Sequence, residues 1–160
     1  MIQATTESIF SIYIQTEDNR IDTSVASTQI RHLIKFTNDM DGSVQYAYGN
    51  TETIYDRYTL IAFSYNISPD IYAGKTKLFP AGYWKYEVYE VSWIGTVTVS
   101  SGNAPATEDD VLSPAADTKG VVQGLVTKGK MYLAEKDGTE QVQYTEQPET
   151  TGTNYIYYGQ

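Results

Sequence analysis

The sequence contains one histidine and no cysteine, which limits the catalytic chemistry open to it. His32 alternates with Ile30, Ile34 and Phe36 on one face of a predicted strand. No serine arrangement near it supplies the nucleophile elbow or the partner that a catalytic triad needs. A single histidine without thiolates also argues against a zinc or iron site. We therefore interpret His32 as a buried structural residue.

Carboxylates are numerous, so a pair of catalytic acids is the second chemistry to consider. Glu87 and Glu90 stand three positions apart in a strand-like run, which places them on opposite faces. The two acids of a glycosidase must face each other across a cleft, and this spacing does not provide that arrangement. The sequence predicts a protein that is not an enzyme and that uses no cofactor.

Clusters of oxygen-bearing side chains raise the question of calcium. Two such groups are Asn38, Asp39 and Asp41, and Glu17, Asp18 and Asp22. Neither has the glycine and the distal glutamate of an EF-hand loop, and Asp and Asn side chains form such turns by bonding nearby backbone. We predict turns at both places and no metal site.

The remaining chemistry lies in the fifteen tyrosines and two tryptophans. Exposed aromatic rings stack on sugars and bases, and tyrosine is also enriched at protein interfaces. The net charge of −9 argues against a groove that follows a phosphate backbone. Five lysines are too scattered in sequence to form a basic patch: Lys75, Lys77, Lys119, Lys128 and Lys130. A protein interface is the preferred interpretation, sugar binding comes second, and nucleic acid is a distant third.

The elements that position these rings are strands, and the clearest is the run 78–93. Alternation places Trp84, Tyr86 and Val88 on the core face and the other tyrosines opposite. Residues expected to face a partner are Tyr83, Tyr89, Trp93, Tyr155, Tyr157 and Tyr158. Under the alternative interpretation, Tyr83, Tyr89, Trp93 or the tail tyrosines form a stacking platform for sugars.

Similar alternation predicts the other strands. The first strand lies in 8–15, and 29–37 and 44–48 form a hairpin across an Asn/Asp/Gly turn. After a break at 49–53, a central strand lies in 55–66. Four closing strands follow at 121–127, 130–135, 140–145 and 154–158, with Asp137-Gly138 as the turn between the middle pair. No amphipathic helix of ten residues is present, and only 108–112, capped by Thr107, suggests one helical turn.

This pattern predicts an all-β fold, an antiparallel β-sandwich of the jelly-roll or immunoglobulin-like kind with about eight or nine strands. One domain spans 1–160, with a low-complexity loop or arm at 100–120 that is either mobile or ordered by a neighbour. No apolar run is long enough to cross a membrane and no secretory signal precedes the first strand, so we expect a soluble, untargeted chain.

Several motifs, in this order, resemble a known group of proteins. They are Phe-Thr-Asn-Asp at 36–39, Tyr-Asp-Arg-Tyr at 55–58, Pro-Ala-Gly-Tyr-Trp-x-Tyr-Glu-Val-Tyr-Glu at 80–90, Gly-Leu-Val-x-x-Gly-Lys-Met-x-Leu at 124–133, and a tyrosine-rich tail. From about Phe36 onward the chain resembles small virion structural proteins of tailed bacteriophages, including marine and crAss-like gut phages.

The resemblance implies a structural part of a virion, assembled in the host cytoplasm, with no catalytic residue. It implies an auxiliary or decoration capsid protein that binds the shell through tyrosine-rich β surfaces, with a neck or tail component as the alternative. Its partners would be the major capsid protein or neck and tail proteins, in a homo-oligomer or a symmetric multi-copy assembly. The segment 100–120 would be an arm ordered on a neighbouring subunit. A carbohydrate-binding β-sandwich module remains the alternative from another class.

Overall fold

The structure, a computed structural model, describes residues 1–138. These residues form strands, two short 3-10 helices and no α-helix. The strands are β1 (Ile2–Thr5), β2 (Phe10–Ile14), β3 (Ile30–Asn38), β4 (Val44–Tyr48), β5 (Thr51–Ile54), β6 (Thr59–Tyr65), β7 (Lys75–Thr76), β8 (Gly82–Ser92) and β9 (Val121–Ala134). Neither 3-10 helix has the length or apolar character to span a bilayer, and the described part of the chain contains no other helix.

The strands form two sheets that pack face to face, which confirms the predicted all-β sandwich. One sheet has five strands in the order β1-β9-β8-β3-β4, and the other has the order β2-β6-β5 with β7 beside β6. Most neighbours are antiparallel, but β1 pairs with β9, and β6 with β7, in parallel. Parallel neighbours cannot be joined by a tight hairpin turn: residues 6–120 separate β1 from β9, and 66–74 separate β6 from β7.

The main core lies between the sheets, where inward-facing side chains of β3 and β8 pack against those of β6. Trp84 and Val88 are buried as predicted, and Tyr86 packs half-buried against them. The ring of Tyr86 occupies the space where a side chain at Gly129 would stand. Packing of this kind lets a glycine remain inside a strand, because the aromatic ring replaces the missing side chain.

A second core covers the outer face of the five-stranded sheet at one end. Leu33, Val91 and Trp93 point outward there and are buried beneath Ala104 of the segment 94–120. The Tyr48 hydroxyl donates to the carbonyl of Pro105 at 2.7 Å, which ties the segment to β4. The segment 100–120, expected to be mobile or ordered by a neighbour, is thus packed on its own domain.

Four strands differ from the predictions. Strands β1 and β7 were not predicted, and β5 occupies most of the stretch expected to break the pattern. The runs 121–127 and 130–135 are not separate strands but one strand, β9, which follows β8 through two register shifts. The predicted hairpin of β3 and β4 is confirmed. The predicted strands at 140–145 and 154–158, and the hairpin that Asp137-Gly138 would begin, lie outside the described residues.

Candidate functional site

Three exposed tyrosines form a cluster on the outer face of the four-stranded sheet, which contains β2, β5, β6 and β7. The ring centroid of Tyr58 lies 5.6 Å from that of Tyr13 and 4.8 Å from that of Tyr55. Their exposed fractions are 65% for Tyr13, 45% for Tyr55 and 38% for Tyr58. We call these three residues the tyrosine platform. It is the largest group of exposed aromatic rings in mutual contact within residues 1–138.

Local sequence explains how the platform forms. In β2, the residues on either side of Tyr13, Ile12 and Ile14, are buried in the core, so Tyr13 points to solvent. Tyr55 and Tyr58 close the β5–β6 hairpin, where the Tyr55 amide donates to the Tyr58 carbonyl at 2.9 Å. The register that pairs Tyr13 with Leu60 brings the two elements together.

A polar groove of about 600 Å³ adjoins the platform at Tyr55. The groove is lined by Glu17, Ser27, Thr28, Arg31, Glu52, Thr53, Ile54, Tyr55 and Asp56. Arg31 is held by the backbone, since its guanidinium donates to the carbonyl of Ile30 at 2.6 Å. Hydroxyl, carboxylate and guanidinium groups therefore stand next to an aromatic surface, an arrangement that suits a ligand with apolar and hydroxylated faces.

The wall of this groove is fixed by a buried pair that links the two sheets. His32 Nδ1 on β3 lies 2.7 Å from Glu52 Oε1 on β5, and Glu52 Oε2 accepts the His32 amide at 3.2 Å. The side chains are only 2% and 3% exposed. His32 is therefore a buried residue with a satisfied partner, as predicted, and its role here is to position β5.

Glu90 is a second buried carboxylate, and it anchors the loop that follows β2. It is buried beside His32 on β8 and accepts the amides of Ile21, at 3.0 Å, and Asp22, at 2.7 Å. Glu87 points to the other face and lies 4.0 Å from Lys35. The two glutamates thus occupy opposite faces, as the sequence indicated, and Glu90 anchors a loop.

Of the two groups considered for calcium, the one at 38–41 is a turn built by its own side chains, and the other begins with a 3-10 helix at Glu17–Asn19. Asn38 Oδ1 accepts the Met40 amide at 2.7 Å, and Asp41 Oδ1 accepts the Ser43 amide at 2.9 Å. The backbone bond from Ser43 holds the pKa of Asp41 below its ordinary value. Among residues 1–138 no three acidic or histidine side chains are grouped so as to hold a metal ion.

The residues predicted to contact a partner do not form one surface. Tyr83 is 54% exposed, with its ring centroid 5.1 Å from that of Tyr132, and it lies on the five-stranded sheet, away from the tyrosine platform. Tyr89 is partly buried against the second core, and Trp93 is fully buried in it. The prediction that Trp93 faces a partner or a sugar is therefore wrong, because the segment 94–120 covers it. Tyr155, Tyr157 and Tyr158 lie outside the described residues.

The lysines are less scattered than the sequence suggested. Lys128 and Lys130 on β9 join Lys35 and Lys85 around a groove of about 740 Å³ on the outer face of the five-stranded sheet. The other three lysines named as scattered, Lys75, Lys77 and Lys119, do not line it. Cross-strand pairing of β3, β8 and β9 creates this cluster, so sequence spacing alone does not reveal it.

Glu108 of the segment 94–120 contacts this lysine cluster. Its carboxylate accepts hydrogen bonds from Lys35 and from the Tyr46 hydroxyl. Burial, followed by the bond to Glu108, raises the pKa of Tyr46 to about 12. Burial also acts to raise the pKa of Glu108, but the bonds from Lys35 and Tyr46 outweigh it and hold that pKa below its usual range.

Acid is therefore expected to loosen the segment 94–120. Because the pKa of Glu108 is lowered in the folded chain, the Glu108 carboxylate stabilises the fold fully above the ordinary pKa of 4.5. This stabilisation is lost as the pH falls through the folded pKa. Amide exchange in the segment, corrected for its intrinsic pH dependence, should lose protection across that range. Glu108→Gln should remove most of this pH dependence, and an unchanged profile in that variant would contradict the assignment.

Comparisons with known proteins do not identify a family. No family model and no curated protein matches the chain. One similar solved structure is described as a putative glycoside hydrolase from Bacteroides vulgatus, with a TM-score of 0.38 and 11% identity over 86% of this chain. The match spans 17% of that longer chain, and a likeness of this size carries no argument about function.

Proposed function

We propose that this protein is a non-enzymatic carbohydrate-binding β-sandwich module that holds its ligand on the tyrosine platform and in the adjoining groove. The observation that carries the proposal is the contact of three exposed tyrosine rings beside a groove lined by polar groups. A sugar ring has an apolar C–H face and a rim of hydroxyls. The rings supply the apolar contact, and the groove supplies donors and acceptors that fix orientation.

The shape of the platform favours a flexible oligosaccharide over a flat crystalline surface. The Tyr58 ring is tilted by 55° relative to Tyr13 and by 34° relative to Tyr55, so the three rings form a curved strip. A flat array of sugar chains would contact one ring at a time. A single chain that bends can contact all three rings and enter the groove at Tyr55.

The charge of the groove favours neutral sugars. Glu17, Glu52 and Asp56 line it against the single cation Arg31, and the whole chain carries a net charge of −9. Uronates and sulfated sugars would be repelled by this field. We therefore expect neutral oligosaccharides to rank above anionic ones of the same length.

Replacing Tyr58 is the sharpest test, because its ring contacts both of the others. The wild-type chain is first screened on an array of neutral and anionic oligosaccharides, and the best neutral ligand is then titrated by calorimetry. Tyr58→Ala should weaken binding by about tenfold or more, the range expected for loss of one aromatic stacking contact.

Tyr83→Ala is the matched control, since Tyr83 is also an exposed tyrosine but lies on the other sheet. It should bind like wild type. An array without any bound glycan would contradict the proposal, as would a Tyr58→Ala variant with undiminished affinity.

A virion structural role is the second candidate, and the exposed apolar side chains favour it. Ile9, Ile67, Phe79 and Ile94 are each more than two-thirds exposed, and contacts with neighbouring subunits would cover such side chains. Together with the sequence resemblance to phage virion proteins, this exposure supports an auxiliary capsid, neck or tail component. Electron microscopy of the particles should place the chain at symmetric, repeated positions, and its absence from purified particles would contradict this role.

A further inference from the structure

The outer face of the five-stranded sheet is only half covered. The segment 94–120 packs over one end, and the other end exposes the groove lined by Lys35, Lys85, Lys128 and Lys130. Val44, which is 47% exposed, adds apolar surface to the same groove. We call this concave surface the lysine groove.

Its charge is opposite to that of the chain as a whole. Glu87 is the one acidic residue in the lining, against four lysines, whereas the chain carries a net charge of −9. Lys85 and Lys130 share Asp39 at the end of the groove. Lys128 is exposed, and its ammonium forms no ion pair with another described residue. The groove therefore has capacity for further carboxylates.

The chain itself shows what kind of group binds there. Glu108 reaches the border of the groove and takes bonds from Lys35 and Tyr46. The residues that follow, Asp109, Asp110 and Val111, are exposed, and Val111 is 91% exposed. We call residues 109–111 the acidic tip. It combines carboxylates for the lysines with an apolar side chain for the exposed surface of Val44.

We propose that two copies of this chain pair about a twofold axis, each placing its acidic tip in the lysine groove of the other. The tip and the groove lie side by side on one face, because Glu108 touches Lys35 immediately before the tip begins. A twofold axis between two such faces sets each tip against the opposite groove, which gives a closed, self-complementary interface. Opposite charges steer and orient the pair. The tyrosine platform is on the other sheet, so the pairing does not depend on sugar binding.

A reciprocal charge exchange tests the pairing. Lys128→Glu reverses a groove charge, and Asp109→Lys reverses a tip charge; Asp110 is left intact because its carboxylate accepts the Ala106 amide at 2.8 Å. Sedimentation velocity of the full chain should show a wild-type dimer at low salt that dissociates at high salt. Each variant alone should have a dimer dissociation constant at least about tenfold higher than that of wild type. A one-to-one mixture should recover the dimer, because both contacts are then of opposite sign.

Lys75→Glu, a charge reversal on β7 away from this face, is the control and should dimerise like wild type. A wild-type chain that stays monomeric at low salt would overturn the proposal. That result would also be expected if an acidic partner of another kind occupies the groove. Dimerisation of both variants at the wild-type level, or a one-to-one mixture that does not form the dimer, would also overturn it. Glycan binding by Lys128→Glu should remain at the wild-type level, which separates a failure here from a failure of the proposed sugar site.

Discussion

Replacing Glu52 by alanine is expected to lower the free energy of unfolding by about 2–6 kcal/mol, because two buried donors lose their acceptor at a cost of about 1–3 kcal/mol each. Glu52 takes two bonds from His32, to the ring nitrogen and to the backbone amide. Both donors would remain in a site that is almost closed to water. Urea unfolding followed by circular dichroism measures the difference.

Glu87→Ala is the matched control for this prediction. Glu87 is also a strand glutamate near a cation, Lys35 at 4.0 Å, but its side chain is 33% exposed. Exposed pairs of this kind contribute at most about 1 kcal/mol. If Glu52→Ala proved no more costly than Glu87→Ala, the pair with His32 would not link the two sheets.

Trp93→Ala is expected to cost a similar amount, about 3–5 kcal/mol, through lost burial and the cavity left behind. Trp93 is fully buried between the outer face of the sheet and the segment 94–120, and its ring leaves no room for a side chain at Gly120. Its removal should also accelerate amide exchange throughout 94–120. That second effect distinguishes a local core from a general loss of stability.

Ile94→Ala provides the comparison, because Ile94 is adjacent in sequence and 73% exposed. The free energy of unfolding of this surface variant is expected to lie within about 0.5 kcal/mol of the wild-type value. A Trp93→Ala chain with wild-type stability would contradict the burial of Trp93 and return it to the residues that face a partner.

The long strand β8 and the hairpin of β3 and β4 were predictable because alternation over many residues is a strong signal. Strands β1 and β5 have four residues each, too few for alternation to be distinguished from a loop. The predicted strands at 121–127 and 130–135 left a gap that contains Gly129. The ring of Tyr86, more than forty positions earlier in the chain, covers it and keeps β9 continuous.

The candidate site was less predictable, because it depends on contacts between distant parts of the chain. Tyr83 and Trp93 belong to one run of sequence, yet only Trp93 is covered, by a segment whose path no local pattern reveals. Tyr13 meets Tyr58 through the register of β2 with β6. The burial of His32 followed from its neighbours, but its partner Glu52 lies on a strand that was not predicted.

Chemical-shift mapping can locate the proposed binding of a neutral oligosaccharide on the tyrosine platform residue by residue. Amide spectra of the isotope-labelled chain are recorded while the best neutral ligand from the array is added. We expect the shifts to concentrate at Tyr13, Tyr55 and Tyr58 and along the groove from Glu52 to Asp56. Shifts centred on Tyr83 and the five-stranded sheet, or no shifts at saturating ligand, would contradict binding at the tyrosine platform.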